Sequence, residues 1–149
     1  MELALLWTLT VDPLTTALGI GHVQLERVLS DSASLYMGPS VRFDAPWAKE
    51  PEPYRAYGVE AGLRWFPRAD APKGPWVMAR GVGARMSTTD GSADPEPGGY
   101  ASVLAGGTLI KGRIVLSGGA GLSHFWYDIG DYGISGFLPA LHTNIGVAF

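Results

Sequence analysis

Hydrophobic residues alternate with small or polar ones along most of this chain. The clearest stretch is 55–66. There Tyr57, Val59, Ala61, Leu63 and Trp65 share one face, and Gly58, Glu60, Gly62, Arg64 and Phe66 share the other. A period of two is that of a β-strand, whose successive side chains point to opposite faces. The carboxyl-terminal run behaves alike: Phe137, Leu141, Ile145, Val147 and Phe149 oppose Ala140, His142, Asn144, Gly146 and Ala148. Eight alternating segments are readable, over 2–11, 18–29, 34–44, 55–66, 75–86, 99–110, 113–127 and 137–149. Only 75–86 has an ambiguous parity, because Arg80 and Arg85 fall on opposite faces.

The gaps carry turn chemistry. Asp12-Pro13 interrupts the first segment, since proline cannot donate to a central ladder. Ser30-Asp31-Ser32, residues 67–74 and Lys111-Gly112 are turn-like, the last a two-residue hairpin candidate. Residues 45–54, 87–98 and 128–136 are longer and rich in Pro, Asp, Gly and Glu. Short turns at one end and longer loops at the other are the rhythm of an even-stranded up-and-down barrel. The expected fold is therefore all-β, an eight-stranded antiparallel transmembrane β-barrel forming a single domain over 1–149.

Composition narrows the alternatives. The longest apolar run, Leu3 to Trp7, has five residues, far short of the ~18–20 of a spanning helix. Barrel strands alternate, so a mean hydropathy of only +0.11 is compatible with them. The 21 glycines and 11 prolines argue against a helical bundle, where both are costly. With no cysteine, disulfides and thiolate chemistry drop out, as expected of an envelope protein crossing an oxidising compartment. A net charge of −3 without a basic cluster offers nucleic acid no footing. Met1-Glu2-Leu3 starts in a strand-like run without a basic n-region, so export implies a signal peptide removed or replaced.

An eight-stranded barrel can be a soluble carrier, apolar inside, or a membrane barrel with the reverse arrangement. Charges at mid-strand favour the second. Glu26, Arg42, Glu60, Arg64 and Arg80, with His142, are expected to form a lumen network in which the carboxylates pair with the arginines. Trp7, Phe43, Tyr57, Trp65, Trp126 and Phe149 are expected on the lipid-facing side or in interfacial girdles. Accordingly Leu63, Trp65, Leu141, Ile145 and Phe149 should face outward, and Glu60, Arg64, His142 and Asn144 inward.

Several motifs add a resemblance. The terminal strand ending on Phe149 is similar to the closing strands of outer-membrane barrels, which the assembly machinery engages. Val11-Asp12-Pro13-Leu14, the run His22 to Arg27 with Leu29-Ser30-Asp31, the run Tyr57 to Pro67, and Gly136 to Leu141 resemble a small outer-membrane β-barrel family of unknown function. Its members carry "NPL", "LEYER-L-D", "G-E-GLRYYP" and "GFLPALRLNLGYAF" in this order. Asp12 stands where they commonly have Asn, and His142 where they commonly have Arg. The resemblance implies an OmpA-like barrel in the Gram-negative outer membrane, with a lipid bilayer and lipopolysaccharide as partners and no catalytic residues to carry over.

Candidate chemistry is sparse. Ser123 and His124 point to opposite faces, whereas Ser123 and His142 share the inward face and invite a hydrolase reading. A lumen histidine held by its neighbours is the plainer reading. His22, Gln24 and Glu26 share a face without a second cluster, so no metal is expected. Gly118-Gly119-Ala120-Gly121 lacks the Lys-Ser/Thr and helix of a phosphate loop. Asp90, Asp94 and Glu96 read as a solvated loop. No cofactor is implied. The expected role is a non-enzymatic envelope barrel, structural or interacting. Alternatives are a small-molecule or lipid-handling barrel or a narrow pore, the lipid-handling form using a lateral gap that Pro39 or Pro139 would open by breaking ladder bonds, and lastly a lipid-modifying enzyme.

Overall fold

In the computed structural model, which describes residues 7–45 and 47–149, eight antiparallel strands close into a barrel in sequence order. They are β1 (Trp7–Val11), β2 (Ile20–Ser30), β3 (Ala33–Arg42), β4 (Tyr54–Trp65), β5 (Gly74–Thr88), β6 (Glu96–Lys111), β7 (Ile114–Ile129) and β8 (Tyr132–Ala148), with one short helix, α1 (Pro13–Ala17), between β1 and β2. The first part of the segment read at 2–11 lies outside the described residues. Closure is made by β1 and β8 in the register Thr8↔Ala148 to Val11↔Ile145, extended by a reciprocal backbone pair between Trp7 and Phe149. Over this register the seam leaves no exposed ladder edge.

The period of two sorts the side chains by face. Val59, Leu63, Val103, Leu122, Leu141 and Ile145 stand on the outside, while Gln24, Glu26, Glu60, Arg64, Arg80, His142 and Asn144 are buried inside. In β5 the ambiguity resolves with Arg80 inward and Arg85 outward. Trp76, Met78 and Val82 then share the inner face with Arg80.

The sequence reading fails at two connections. Residues 128–136 are not a loop: β7 continues to Ile129 and β8 starts at Tyr132, paired directly across Gly130-Asp131. Gly130 adopts φ +56°, the left-handed conformation a two-residue hairpin turn demands. Asp12-Pro13 is not a bare interruption either. Asp12 caps α1 by accepting from Thr15 N at 3.0 Å, with proline at the helix start, where its missing N–H costs nothing.

The lumen is layered. At the loop end Tyr54, Val82, Met86, Tyr100, Tyr127 and Ile129 form an apolar cluster. At the turn end Tyr36, Phe66, Trp76, Met78 and Leu104 form another. The polar side chains lie in a belt between them. Small residues make room for the large ones. A Cβ on Gly62 would lie 2.3 Å from the Tyr36 ring, and one on Gly119 would lie 2.5 Å from Trp76.

Candidate functional site

The belt is built from β1 to β8 and contains two arginines on adjacent strands. Arg64 donates from Nη1 to Glu26 Oε2 at 2.7 Å. Glu26 also accepts from Thr8 Oγ1 at 3.2 Å and from Ser34 Oγ. The Arg64 guanidinium lies near both the Tyr36 and the Trp76 ring, its Cζ 5.2 Å from each centroid. Trp76 is anchored in turn by its Nε1–H, which donates to Thr108 Oγ1 at 3.0 Å. This cation is paired, hydrogen-bonded and set against aromatic rings, and only its Nε lacks a partner among the described residues.

Glu60 is not paired with an arginine, contrary to expectation. Its Oε1 accepts from Gln24 Nε2 at 2.8 Å, and its Oε2 lies 3.5 Å from His22 Nδ1. Gln24 Oε1 accepts from Asn144, and the Tyr100 hydroxyl lies 3.2 Å from His22 Nε2. Arg42 also departs from the expected network. It sits at the loop end of β3, with Nη2 3.3 Å from Glu52 in the following loop and its guanidinium over Tyr54. The strand-end position that parity alone treats as lumen is already at the rim.

His142 lies between the two arginines. Its Nε2 is 2.9 Å from Arg64 Nη2, and its Nδ1 is 3.3 Å from Arg80 Nη1 and 3.7 Å from Asp12 Oδ2. A neutral imidazole has one acceptor nitrogen, and both arginines only donate. The shorter contact assigns the acceptor to Nε2 facing Arg64. Nδ1 then carries the proton, directed toward Asp12, and cannot accept from Arg80. Arg80 therefore keeps one protein acceptor among the described residues, Ser102 Oγ, 3.4 Å from its Nε. No carboxylate lies within ion-pair distance of it there. Its remaining contact is the Tyr100 ring, 5.4 Å away.

Asp12 joins α1 to the wall. Its Oδ1 accepts from Thr143 Oγ1 at 2.7 Å, and Thr143 Oγ1 accepts from Leu14 N at 3.2 Å. Side-chain bonds thus replace the ladder where β1 stops at Val11 and β8 continues. The sequence held a signal for this, a capping Asp followed by Pro at the first helical position, which the strand reading absorbed as a break.

The Ser123–His142 pair is not assembled. Ser123 pairs across the sheet with Leu138, and His142 with Gly119. Ser123 Oγ is hydrogen-bonded to Ser102 Oγ, so no base sits beside it. His124 faces outward, edge-on to Phe137 with centroids 4.6 Å apart. Among the described residues no group of three His, Asp or Glu is arranged to hold a metal. In the acidic loop, Ser92 donates to Asp90 from its backbone N–H at 2.9 Å, and the Ser92 hydrogen bonds hold that carboxyl below its ordinary range.

The girdle candidates are distributed as follows. Tyr57, Trp65, Trp126 and Phe149 are exposed on the outer face, whereas Trp7 and Phe43 are half-buried. Arg27 stacks over Trp7 at 5.4 Å, and the Phe43 ring covers Gly21. A scan against protein-family models, a search of the curated proteins and a search of the solved structures each return no match.

Proposed function

We propose that this chain is a bacterial outer-membrane barrel whose role is structural or interacting, with a closed lumen and no catalysis of its own. One observation carries this reading: the chain is polar inside and apolar outside. Val59, Leu109 and Phe137 are 68%, 74% and 76% exposed, while Glu60, Arg64 and His142 are 1%, 2% and 0% exposed. Water would solvate neither arrangement well, whereas a bilayer matches the outer surface and leaves the barrel to satisfy its own polar groups. The ladder does so for the backbone and the belt for most of the side chains. Apolar clusters at both ends of the belt oppose a continuous aqueous path. The partners follow from this reading: the bilayer, lipopolysaccharide, and the barrel-assembly machinery acting on the strand that ends at Phe149. The resemblance of the motifs to small outer-membrane proteins points the same way.

Reconstitution in a planar bilayer tests the closed lumen. The barrel should insert without stable unit conductance. A reproducible conductance step would overturn the closed reading in favour of a pore. A second reading, lipid handling, is favoured by one feature, the place where α1 replaces strand in the wall.

A further inference from the structure

Beyond Val11, β1 no longer pairs with β8, and α1 lies beside β8 in its place. A pocket of about 270 Å³ passes between them. Its mouth is formed by Leu14 of α1, by Leu18, which caps the helix C-terminus, and by Pro139 and Leu141 of β8; its floor includes Arg80 and Ser123. Leu18 and Leu141 are 60% and 59% exposed on the outer face, whereas Arg80 and Ser123 are 6% and 1% exposed. One pocket therefore connects the apolar outer surface to a buried cation. Among the described residues that cation has a single weak protein acceptor and no carboxylate within ion-pair distance. Glu60 and Asp12 act on Arg80 only from beyond ion-pair contact, so its Nη groups remain open to an anion that can reach them.

We infer that this pocket binds the headgroup of a long-chain carboxylate, a fatty-acid anion, entering sideways from the membrane. The inference rests on the membrane-barrel reading. The carboxylate accepts from the Arg80 Nη groups in the fork geometry that guanidinium offers. The Ser123 hydroxyl lies on the same floor as a further donor. The volume equals about nine waters at ~30 Å³ each, enough for a carboxylate and the first few methylenes. The rest of the chain remains against Leu14, Leu18 and Leu141, continuous with the bilayer.

The test is a fluorescence titration of the folded barrel in neutral detergent with cis-parinaric acid, a conjugated fatty acid. Saturable binding is expected at one site. The methyl ester should bind about tenfold to a hundredfold more weakly, as loss of a charge-assisted hydrogen bond implies. Arg80→Gln should weaken the acid to the level of the ester, and Leu18→Trp, at the mouth and outside the polar belt, should weaken both. Equal binding of acid and ester by the parent protein overturns the inference without any variant having to fold. Indifference to Leu18→Trp overturns the lateral route, and displacement by phosphatidylglycerol but not by oleate overturns the carboxylate. Insertion into lipid vesicles is measured separately. A barrel that inserts and binds no fatty acid refutes this inference alone, whereas one that never inserts refutes the membrane reading beneath it.

Discussion

Arg64 and Arg80 occupy adjacent strands of one barrel and point into the same polar belt, yet their surroundings differ sharply. Arg64 has Glu26 at 2.7 Å, His142 at 2.9 Å and the Tyr36 and Trp76 rings each 5.2 Å away. Arg80 has Ser102 at 3.4 Å and the donor side of His142. Both arginines sit on strands laddered on either side, so the difference lies in what their side chains meet across the lumen. Arg80 lies at the floor of the passage beside α1. Burial alone therefore does not explain the lumen charges. Arg64 is held as a structural ion pair, whereas Arg80, with no carboxylate at contact distance among the described residues, lines the pocket where α1 replaces strand in the wall.

Substitutions that break this contrast should rank accordingly. Glu26→Ala strands the Arg64 guanidinium and should cost about 3–5 kcal/mol of stability, read by urea unfolding in lipid vesicles. A loss below about 1 kcal/mol would mean that the pair does not hold the belt together. Gly62→Val pushes on the Tyr36 ring, where a Cβ would already be 2.3 Å away. Overpacking of this kind should cost roughly 1–3 kcal/mol, partly through the disturbed Arg64 stack. Asp12→Ala removes the α1 cap and the tie to Thr143 and should cost about 1 kcal/mol, with hydrogen exchange rising first in 12–19. Arg80→Met should be the mildest, within about 0.5 kcal/mol of the parent, because it breaks no ion pair at contact distance and leaves an apolar side chain of similar length in its place. A cost for Arg80→Met equal to that of Glu26→Ala would erase the distinction between the two arginines.

The strands and their faces were legible in the sequence because a half-buried strand writes its period directly into residue order. Leu63 against Arg64 and Leu141 against His142 needed nothing more. The pairing of charges was not legible, because it depends on register between strands distant in sequence. Glu26 and Arg64 meet across thirty-eight positions, and nothing local distinguishes Glu26 from Glu60 as the partner. Strand 75–86 was ambiguous because arginines of both parities flank a run of small residues, and a small residue marks neither face. Residues 128–136 looked like a loop on account of Asp and Gly, yet Gly130-Asp131 turns the chain in two residues and the remaining glycines are carried within β8. Asp12 was the costliest miss, because its capping role also creates the passage.

The central claim, a barrel with lipid outside and polar groups within, is tested most directly by accessibility on the outer wall. The chain has no cysteine, so single cysteines at Val59, Val103, Leu122 and Leu141, which lie on four different strands, can be spin-labelled without background. Reconstituted in vesicles, all four labels should collide freely with oxygen and hardly at all with a water-soluble nickel chelate, unlike a label at Gly91 in the β5–β6 loop. Nickel accessibility at the four positions equal to that at Gly91 would contradict the membrane barrel.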